Sequence, residues 1–281
     1  MKVQKKKIAA AALLAVLVLG TGVHLATDWP MGFFGRMGWI EGNPETCPLG
    51  SKLGRTPDFI AHAGGEAAGA RYTNSLEAVR ASLDSGWRFI EVDLRRTLDG
   101  RYFGAHKVKE FNARTGRASR WVLPPFADDL RTLRIDGRFT PVLLSDLVPL
   151  FKAHPEAVLV TDKARGYKSL LAEFPLPDQL LVEVSNADEY YAALAAGIRM
   201  VAVNTKDWDE VERAGIRMMV ASPEWLSTQG DRPKRFLESG GCILAASLSD
   251  CGEAGRAAER GAPATLYYCD RCAAFGSGAR P

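Results

Sequence analysis

The sequence predicts an α/β fold, a (β/α)8 TIM-type barrel with an N-terminal apolar helix, and three observations predict it. From Phe59 onward, strand-like apolar runs alternate with helix-like segments, the pattern of repeated βα units around a parallel sheet. Several runs end in a residue able to do chemistry, and parallel strands bring such ends to one face of a barrel. The length of 281 residues holds one barrel of about 250 residues behind a short extension.

The elements follow in chain order. Lys2, Lys5, Lys6 and Lys7 precede an apolar run from Ile8 to about Ala26, the arrangement of an export signal. The run is close to the roughly 20 residues that span a bilayer. Gly20-Thr21-Gly22 offers small residues to a peptidase, but an Ala-x-Ala site is absent. Residues 1–27 are therefore expected to be a signal peptide or signal anchor, with the body exported, periplasmic or otherwise extracytoplasmic. Residues 28–57 are rich in Gly, Pro and Trp and read as a linker that wraps onto the barrel, because Trp29, Phe33, Phe34, Trp39 and Ile40 do not suit a free tether. Residues 58–281 form the barrel domain.

Nine segments compete for eight barrel places: Phe59–His62, Arg88–Asp93, Arg101–His106, Ala157–Asp162, Leu180–Val184, Met200–Asn204, Met218–Ala221, Ile243–Ser247 and Thr265–Cys269. Periodicity does not identify the outsider, and the short Met218 segment is the weakest of them. Between them, Thr73 or Asn74 is expected to cap a helix ending near Ser85-Gly86, Ser145 to cap Asp146–Ala153, and Asn186 to precede a helix over Asp188–Ala196.

The chemistry gathers between Phe59 and His106. A strand ends in His62-Ala63-Gly64-Gly65, the motif Asn74-Ser75-Leu76-Glu77-Ala78 opens a helix, and Glu91-Val92-Asp93 ends the next strand. Side chains alternate along a strand, so Glu91 and Asp93 share one side, where their charges repel unless a cation neutralises them. Oxygen ligands suit a hard divalent ion such as magnesium or calcium. Thr97-Leu98-Asp99-Gly100 then turns the chain toward His106.

This ordered set resembles the glycerophosphodiester phosphodiesterase family, within the phospholipase-C-like phosphodiesterases that include venom-type phospholipase D. The likeness runs from His62-x-Gly64-Gly65 through Asn74 to Ala78, Glu91-x-Asp93, Thr97-x-Asp99-Gly100 and His106, with weaker echoes as far as Tyr268-Cys269-Asp270. It implies a metal-dependent phosphodiesterase that hydrolyses glycerol-phosphodiesters or phospholipid head groups. His62 and His106 would be the general acid and base, and Glu91, Asp93 and Asp162 would hold a divalent cation, magnesium or calcium. Asn74 and Lys163 would contact substrate. The chain departs from the family at Ala63, where arginine is usual, and at Lys107, where aspartate is usual. Lys163 is adjacent to Asp162 where the family places lysine two residues on, so strand alternation sets Lys163 facing away from Asp162. These departures keep open a non-catalytic barrel that binds anionic lipid or polysaccharide. A lyase that forms a cyclic phosphate is a further alternative.

From Lys107 to Pro141 the chain is too long for an ordinary barrel loop and carries eight basic against four acidic residues, interleaved with Phe111, Trp121 and Phe126. It reads as a lid over the site, suited to an anionic, membrane-derived substrate. The formal charge of +3 is owed to Lys2, Lys5, Lys6 and Lys7; without those four the remainder is −1. A near-neutral body excludes nucleic acid as the expected partner. The partners implied are a phosphodiester or phospholipid substrate and, through the N-terminal segment, a membrane. Of Cys47, Cys242, Cys251, Cys269 and Cys272, the last four are expected to form one or two disulfides, with an odd thiol left over.

Overall fold

The structure, a computed structural model, describes residues 43–53, 58–117, 123–249 and 252–270. The expected signal or anchor and most of the linker lie outside these residues. Among the described residues, no helix is long and apolar enough to cross a membrane.

The chain forms β1 (Asp58–Ala61), β2 (Phe89–Glu91), β3 (Leu94–Arg96), β4 (Tyr102–Gly104), β5 (Val158–Thr161), β6 (Leu180–Val184), β7 (Met200–Asn204), β8 (Met218–Ala221), β9 (Cys242–Leu248) and β10 (Leu266–Cys269). Eight of these close into a barrel in the order β1-β10-β9-β8-β7-β6-β5-β2, with every neighbouring pair parallel. The outsider is not the Met218 segment. That short run is buried at every position and pairs with both neighbours, as a strand covered on both faces must. Tyr102–Gly104 is left out instead, because the turn at Thr97 to Gly100 folds β4 back antiparallel on β3. Gly100 has φ +85°, the left-handed geometry that such a turn requires of its last residue.

Alternation divides the barrel core into two layers. Ile60, Phe89, Val158, Val160, Leu181, Val220, Leu244 and Tyr268 point inward, while Ala61, Ile90, Leu159, Val182 and Tyr267 pack against the outer helices. Leu49, 1% exposed, joins the inner layer, so this stretch before β1 packs against the barrel. The Cys47 N–H donates to the Gly240 carbonyl, and Cys47 is disulfide-bonded to Cys242. This corrects the expectation that Cys242 pairs within the C-terminal group: the wrap returns alongside β9 and brings its own cysteine. Cys269 is also disulfide-bonded, and none of the described cysteines is free.

Helix α1 (Leu76–Asp84) starts one residue later than the expected caps. The Ser75 hydroxyl accepts from the Ala78 N–H, while Asn74, in the left-handed region at φ +48°, sends its side chain elsewhere. The segment after β4 contains α2 (Val108–Arg114) and has a core of its own, in which Phe111, Leu130, Ile135 and Phe139 pack on Phe103. It is a folded lobe. Helix α3 (Leu144–Ala153) is capped at Leu143, whose N–H donates to the Asp146 carboxylate, so Ser145 lies inside it. Helix α4 (Tyr167–Glu173) follows β5, and Asn186 caps α5 (Ala187–Ala195) by accepting from the Glu189 N–H, as expected.

Candidate active site

The inward parity of each strand, carried past its last residue, builds the site. Phe89 faces in, so Glu91 and Asp93 do. Val158 and Val160 face in, so Asp162 does, and Ile60 puts His62 on the same side. Glu91, Asp93 and Asp162 bring one ligand atom each within 4.8 Å of one another. His62, Asp93 and His106 line one cavity of about 280 Å³, together with Tyr72, Asn74 and Arg114. All five residues expected to carry the chemistry therefore meet at one mouth of the barrel. His106 comes from the β3–β4 hairpin, which leans over that mouth, and not from a barrel strand.

Each histidine has a carboxylate on the same ring nitrogen. His62 Nδ1 lies 2.8 Å from Asp270 Oδ1, and His106 Nδ1 lies 3.0 Å from Glu110 Oε2. A carboxylate only accepts, so these pairs assign the proton to Nδ1 and leave Nε2 as the working nitrogen. Tyr72 and Tyr268 meet the His62 ring edge-on, with centroids 5.1 and 5.6 Å away. The Tyr72 hydroxyl is pushed up to about 12, by burial and then by its hydrogen bond to Asp270, so it stays a donor to that carboxylate. The Arg95 guanidinium anchors the exposed His106 by donating to its carbonyl.

The carboxylates sit in a field that one lysine partly neutralises. Lys163 does not face away: at φ +57° its backbone leaves the strand geometry, and its ammonium bonds both Asp93 and Asp162. Burial, then Asp93 and Asp162, pushes Glu91 well above the ordinary carboxylate range, although the Ala63 N–H donates to its Oε2 at 2.7 Å. Burial works against charge on Asp93 too, but Lys163 and Asn74 outweigh it and hold that group low. Asp162 is raised, by burial and then by Asp93. Lys163 loses to burial but gains more from Asp162 and Asp93, so its ammonium is held charged.

Asn74, 2% exposed, is engaged from both ends by one residue. Its Nδ2 donates to Asp93 Oδ2 at 3.0 Å, and its Oδ1 accepts from the Asp93 N–H at 2.9 Å. Gly104 makes this clasp possible, since a Cβ there would lie 2.6 Å from the Asn74 carbonyl. The lid's basic residues are largely tied down. Arg114 is bidentate on Asp136 and reaches the Tyr72 carbonyl, Arg117 pairs with Asp129, and Lys107 pairs with Glu110. Arg120 and Trp121 lie outside the described residues.

Two acids at the mouth escaped the sequence reading as site residues, Asp270 and Glu183. The signal that finds them is the same parity: Tyr268 faces in, so Asp270 does, and Leu181 faces in, so Glu183 does. Burial, then Asp162, lifts Glu183 to about 8. The buried side-chain atoms without a partner include Asp162 Oδ1, Glu183 Oε1 and Tyr268 Oη, all belonging to inward residues at this end of the barrel. Three clustered carboxylates with an unpartnered buried oxygen among them are a donor set that fits a hard divalent cation.

No family model and no curated protein matches the chain in sequence. Solved structures do. A glycerophosphoryl diester phosphodiesterase from Parabacteroides distasonis superposes with a TM-score of 0.61 at 17% identity, over 79% of this chain and 87% of that one. A phosphodiesterase from Oleispira antarctica, solved with its product sn-glycerol-3-phosphate, gives 0.60 at 17% identity over 79% and 95%. A glycerophosphodiester phosphodiesterase from Thermotoga maritima gives 0.56 at 12% identity over 76% and 93%. The chain therefore has the closed (β/α)8 fold of the glycerophosphodiester phosphodiesterases, with its acidic triad and both histidines at one mouth of that barrel.

Proposed function

We propose that this protein is a cation-dependent phosphoric diester hydrolase that acts on glycerol-phosphodiesters. The observation that carries the reading is the pairing of two histidines, each with a carboxylate on Nδ1, across one cavity that Asp93 of the acidic triad also lines. The fold shared with glycerophosphodiester phosphodiesterases supports it.

A phosphodiester is anionic and repels an incoming oxygen nucleophile, so its charge has to be offset before phosphorus is attacked. Glu91, Asp93 and Asp162 would hold the divalent cation, magnesium or calcium, which supplies Lewis-acid stabilisation of the phosphoryl oxygens when bound. Asn74 fixes Asp93 in the orientation that points it at the triad, which makes it a positioning residue before a substrate contact. Lys163 holds Asp93 low, offsets part of what raises Asp162 and adds positive charge beside the phosphate. One histidine takes the proton of the attacking oxygen at Nε2 while the other gives its Nε2 proton to the departing alcohol. That exchange needs the two rings on opposite sides of one phosphorus atom, within a cavity that holds both. Asp270 and Glu110 stabilise whichever ring carries the second proton.

Turnover of glycerophosphocholine with magnesium or calcium, and its loss in EDTA, tests the reading. Phosphorus NMR of the product separates a monoester from a cyclic phosphate. Cation binding with no turnover of any diester would refute the hydrolase and leave a binding barrel. We further place the body outside the cytoplasm. The basic and apolar N-terminus supports this, and so does the Cys47–Cys242 disulfide, a bond that persists in oxidising compartments. Fractionation of the expressed full chain tests it.

A further inference from the structure

We propose that a second cavity, across the acidic triad from the histidines, is the subsite for a polyhydroxyl alcohol, so that one of the two alcohols esterified to the phosphate must be glycerol or a larger polyol. This subsite rests on the phosphodiesterase reading above and names its substrate class.

A phosphodiester carries an alcohol on each side of phosphorus, so a site that holds phosphorus at the triad needs room on both sides of it. The barrel mouth has that room. Asp93 lines the cavity of the two histidines, and Asp162 lines a second cavity of about 250 Å³. Lys163 bonds both carboxylates. Arg95, in the wall of the second cavity, donates to the carbonyl of His106, in the wall of the first. The two cavities therefore flank the position of the phosphate.

Strand parity makes the second cavity polar. Leu181 faces in, so Glu183 does and, one residue past the end of β6, so does Ser185; Met200 and Ala202 face in, so Asn204 at the end of β7 does. All three line the cavity, and their hydrogen-bonding capacity is unspent. Glu183 Oε1 is buried without a partner, and the Ser185 hydroxyl and the Asn204 amide bond no other described residue. A buried oxygen left unpaired is costly, so a ligand group that reaches it is favoured. Glu183 lies outside the triad whose ligand atoms come within 4.8 Å of one another, so a cation held there does not account for it.

The chemistry of the wall selects the alcohol. A hydroxyl both donates and accepts, so it pairs with the Glu183 carboxyl in either protonation state, with the Ser185 hydroxyl and with the Asn204 amide. A trimethylammonium group makes none of these bonds and is held instead by aromatic faces, and among the described residues no aromatic side chain lines this cavity. Arg95, which has no carboxylate partner among the described residues, also opposes a fixed cation there. Tyr72 and Phe111 stand in the wall of the histidine cavity, so glycerophosphocholine enters with its choline on that side and its glycerol on this one.

The test compares glycerophosphocholine with propylphosphocholine, the same diester without the glycerol hydroxyls, on the full chain with magnesium or calcium. Wild type should prefer the glycerol diester by about tenfold or more in kcat/KM, the size of one or two hydrogen bonds. Glu183→Leu should cut that preference to about threefold or less, whereas Glu183→Gln, which keeps polar atoms in place, should retain most of it. Ser185 and Asn204 are exposed, so S185A/N204A should fold as wild type does and lower the preference as well. Equal kcat/KM for the two diesters in wild type, or a preference unchanged in both E183L and S185A/N204A, overturns the subsite and leaves the phosphodiesterase reading standing. Titration calorimetry is independent of turnover: glycerol phosphate should bind about tenfold more tightly than propyl phosphate, and E183L should erase the difference. Equal binding of the two monoesters overturns the subsite. Tighter binding of glycerol phosphate with no turnover of any diester supports the subsite and refutes the phosphodiesterase reading.

Discussion

Asp270 should be the residue whose loss slows the proposed reaction most without touching substrate. In the Asp270→Asn variant the side chain keeps its shape but no longer offers a charged acceptor to His62 Nδ1 at 2.8 Å. The amide also presents a donor, which favours the wrong imidazole tautomer and places the proton on Nε2. A hydrogen bond to a charged group contributes about 1.5–3 kcal/mol. His62 is 27% and Asp270 17% exposed, so solvent screens part of this and the lower half of the range applies. A loss of about 1.5–2 kcal/mol in the transition state is roughly a 10- to 30-fold fall in kcat. Because Asp270 stands behind the ring, KM should change little. Tyr72 donates to the same carboxylate, so Tyr72→Phe should leave the His62 pair in place and cost less. Steady-state kinetics on glycerophosphocholine checks both variants. A fall below about threefold in D270N, or a loss seen in KM alone, would refute the positioning role.

Further outcomes are expected elsewhere. Removing the Cys47–Cys242 bond, which spans a sequence separation of 195, should lower stability by up to about 5 kcal/mol on the chain-entropy account, measured by denaturant unfolding of C47S/C242S. Glu91→Gln should be close to neutral for the cation-free fold, since burial already disfavours the charge there, whereas Asp93→Asn strips Lys163 of one partner and should cost about 1–3 kcal/mol. Thermal melts check this pair, and a magnesium- or calcium-induced rise in Tm should be weakened in both variants. Arg114 depresses Asp136, so that pair stabilises the lid above the ordinary aspartate value of about 3.9 and its contribution is lost as pH falls through the lower folded value. The pair is largely exposed and contributes below about 1 kcal/mol, so hydrogen exchange in α2 should quicken only in acid, and R114S should abolish that pH dependence.

Much of this architecture was legible because a parallel barrel writes itself as repetition. Buried runs such as Val158 to Thr161 and Leu180 to Val184 have the length and composition of strands covered on both faces, and their alternation fixes which residues reach the mouth. Glu91, Asp93, Asp162 and His62 follow from it directly. Asp270 and Glu183 obey the same rule; Glu183 had no neighbouring motif to draw attention to it, and Asp270 stood only at the end of a weak echo that assigned it no role. The status of Tyr102–Gly104 was not legible. A strand's partner is decided by the turn that follows or precedes it, and the Thr97 to Gly100 turn pairs it locally before the barrel can recruit it. The lid's basic residues looked like a steering surface because composition counts charges but not their partners. Asp136 and Asp129 hold Arg114 and Arg117 in place and turn them into struts of the lobe.

Lys163 shows where strand periodicity fails and why the failure matters to the site. Alternation holds only while the backbone stays extended, and Lys163 comes one residue after Asp162, where β5 has already ended and φ has become positive. A non-glycine residue in that region is strained, so something must hold it there. The two carboxylates are what it gains. Asp93 and Asp162 face each other at a buried mouth where their repulsion is poorly screened, and an ammonium between them offsets it before any metal arrives. The same contact leaves Asp162 Oδ1 without a partner, so the lysine satisfies half of that carboxylate and the other half remains available to a cation. A lysine two residues after Asp162 would follow alternation and need no such turn. Here the left-handed residue replaces that spacing, and the positive charge reaches the triad by a different backbone path.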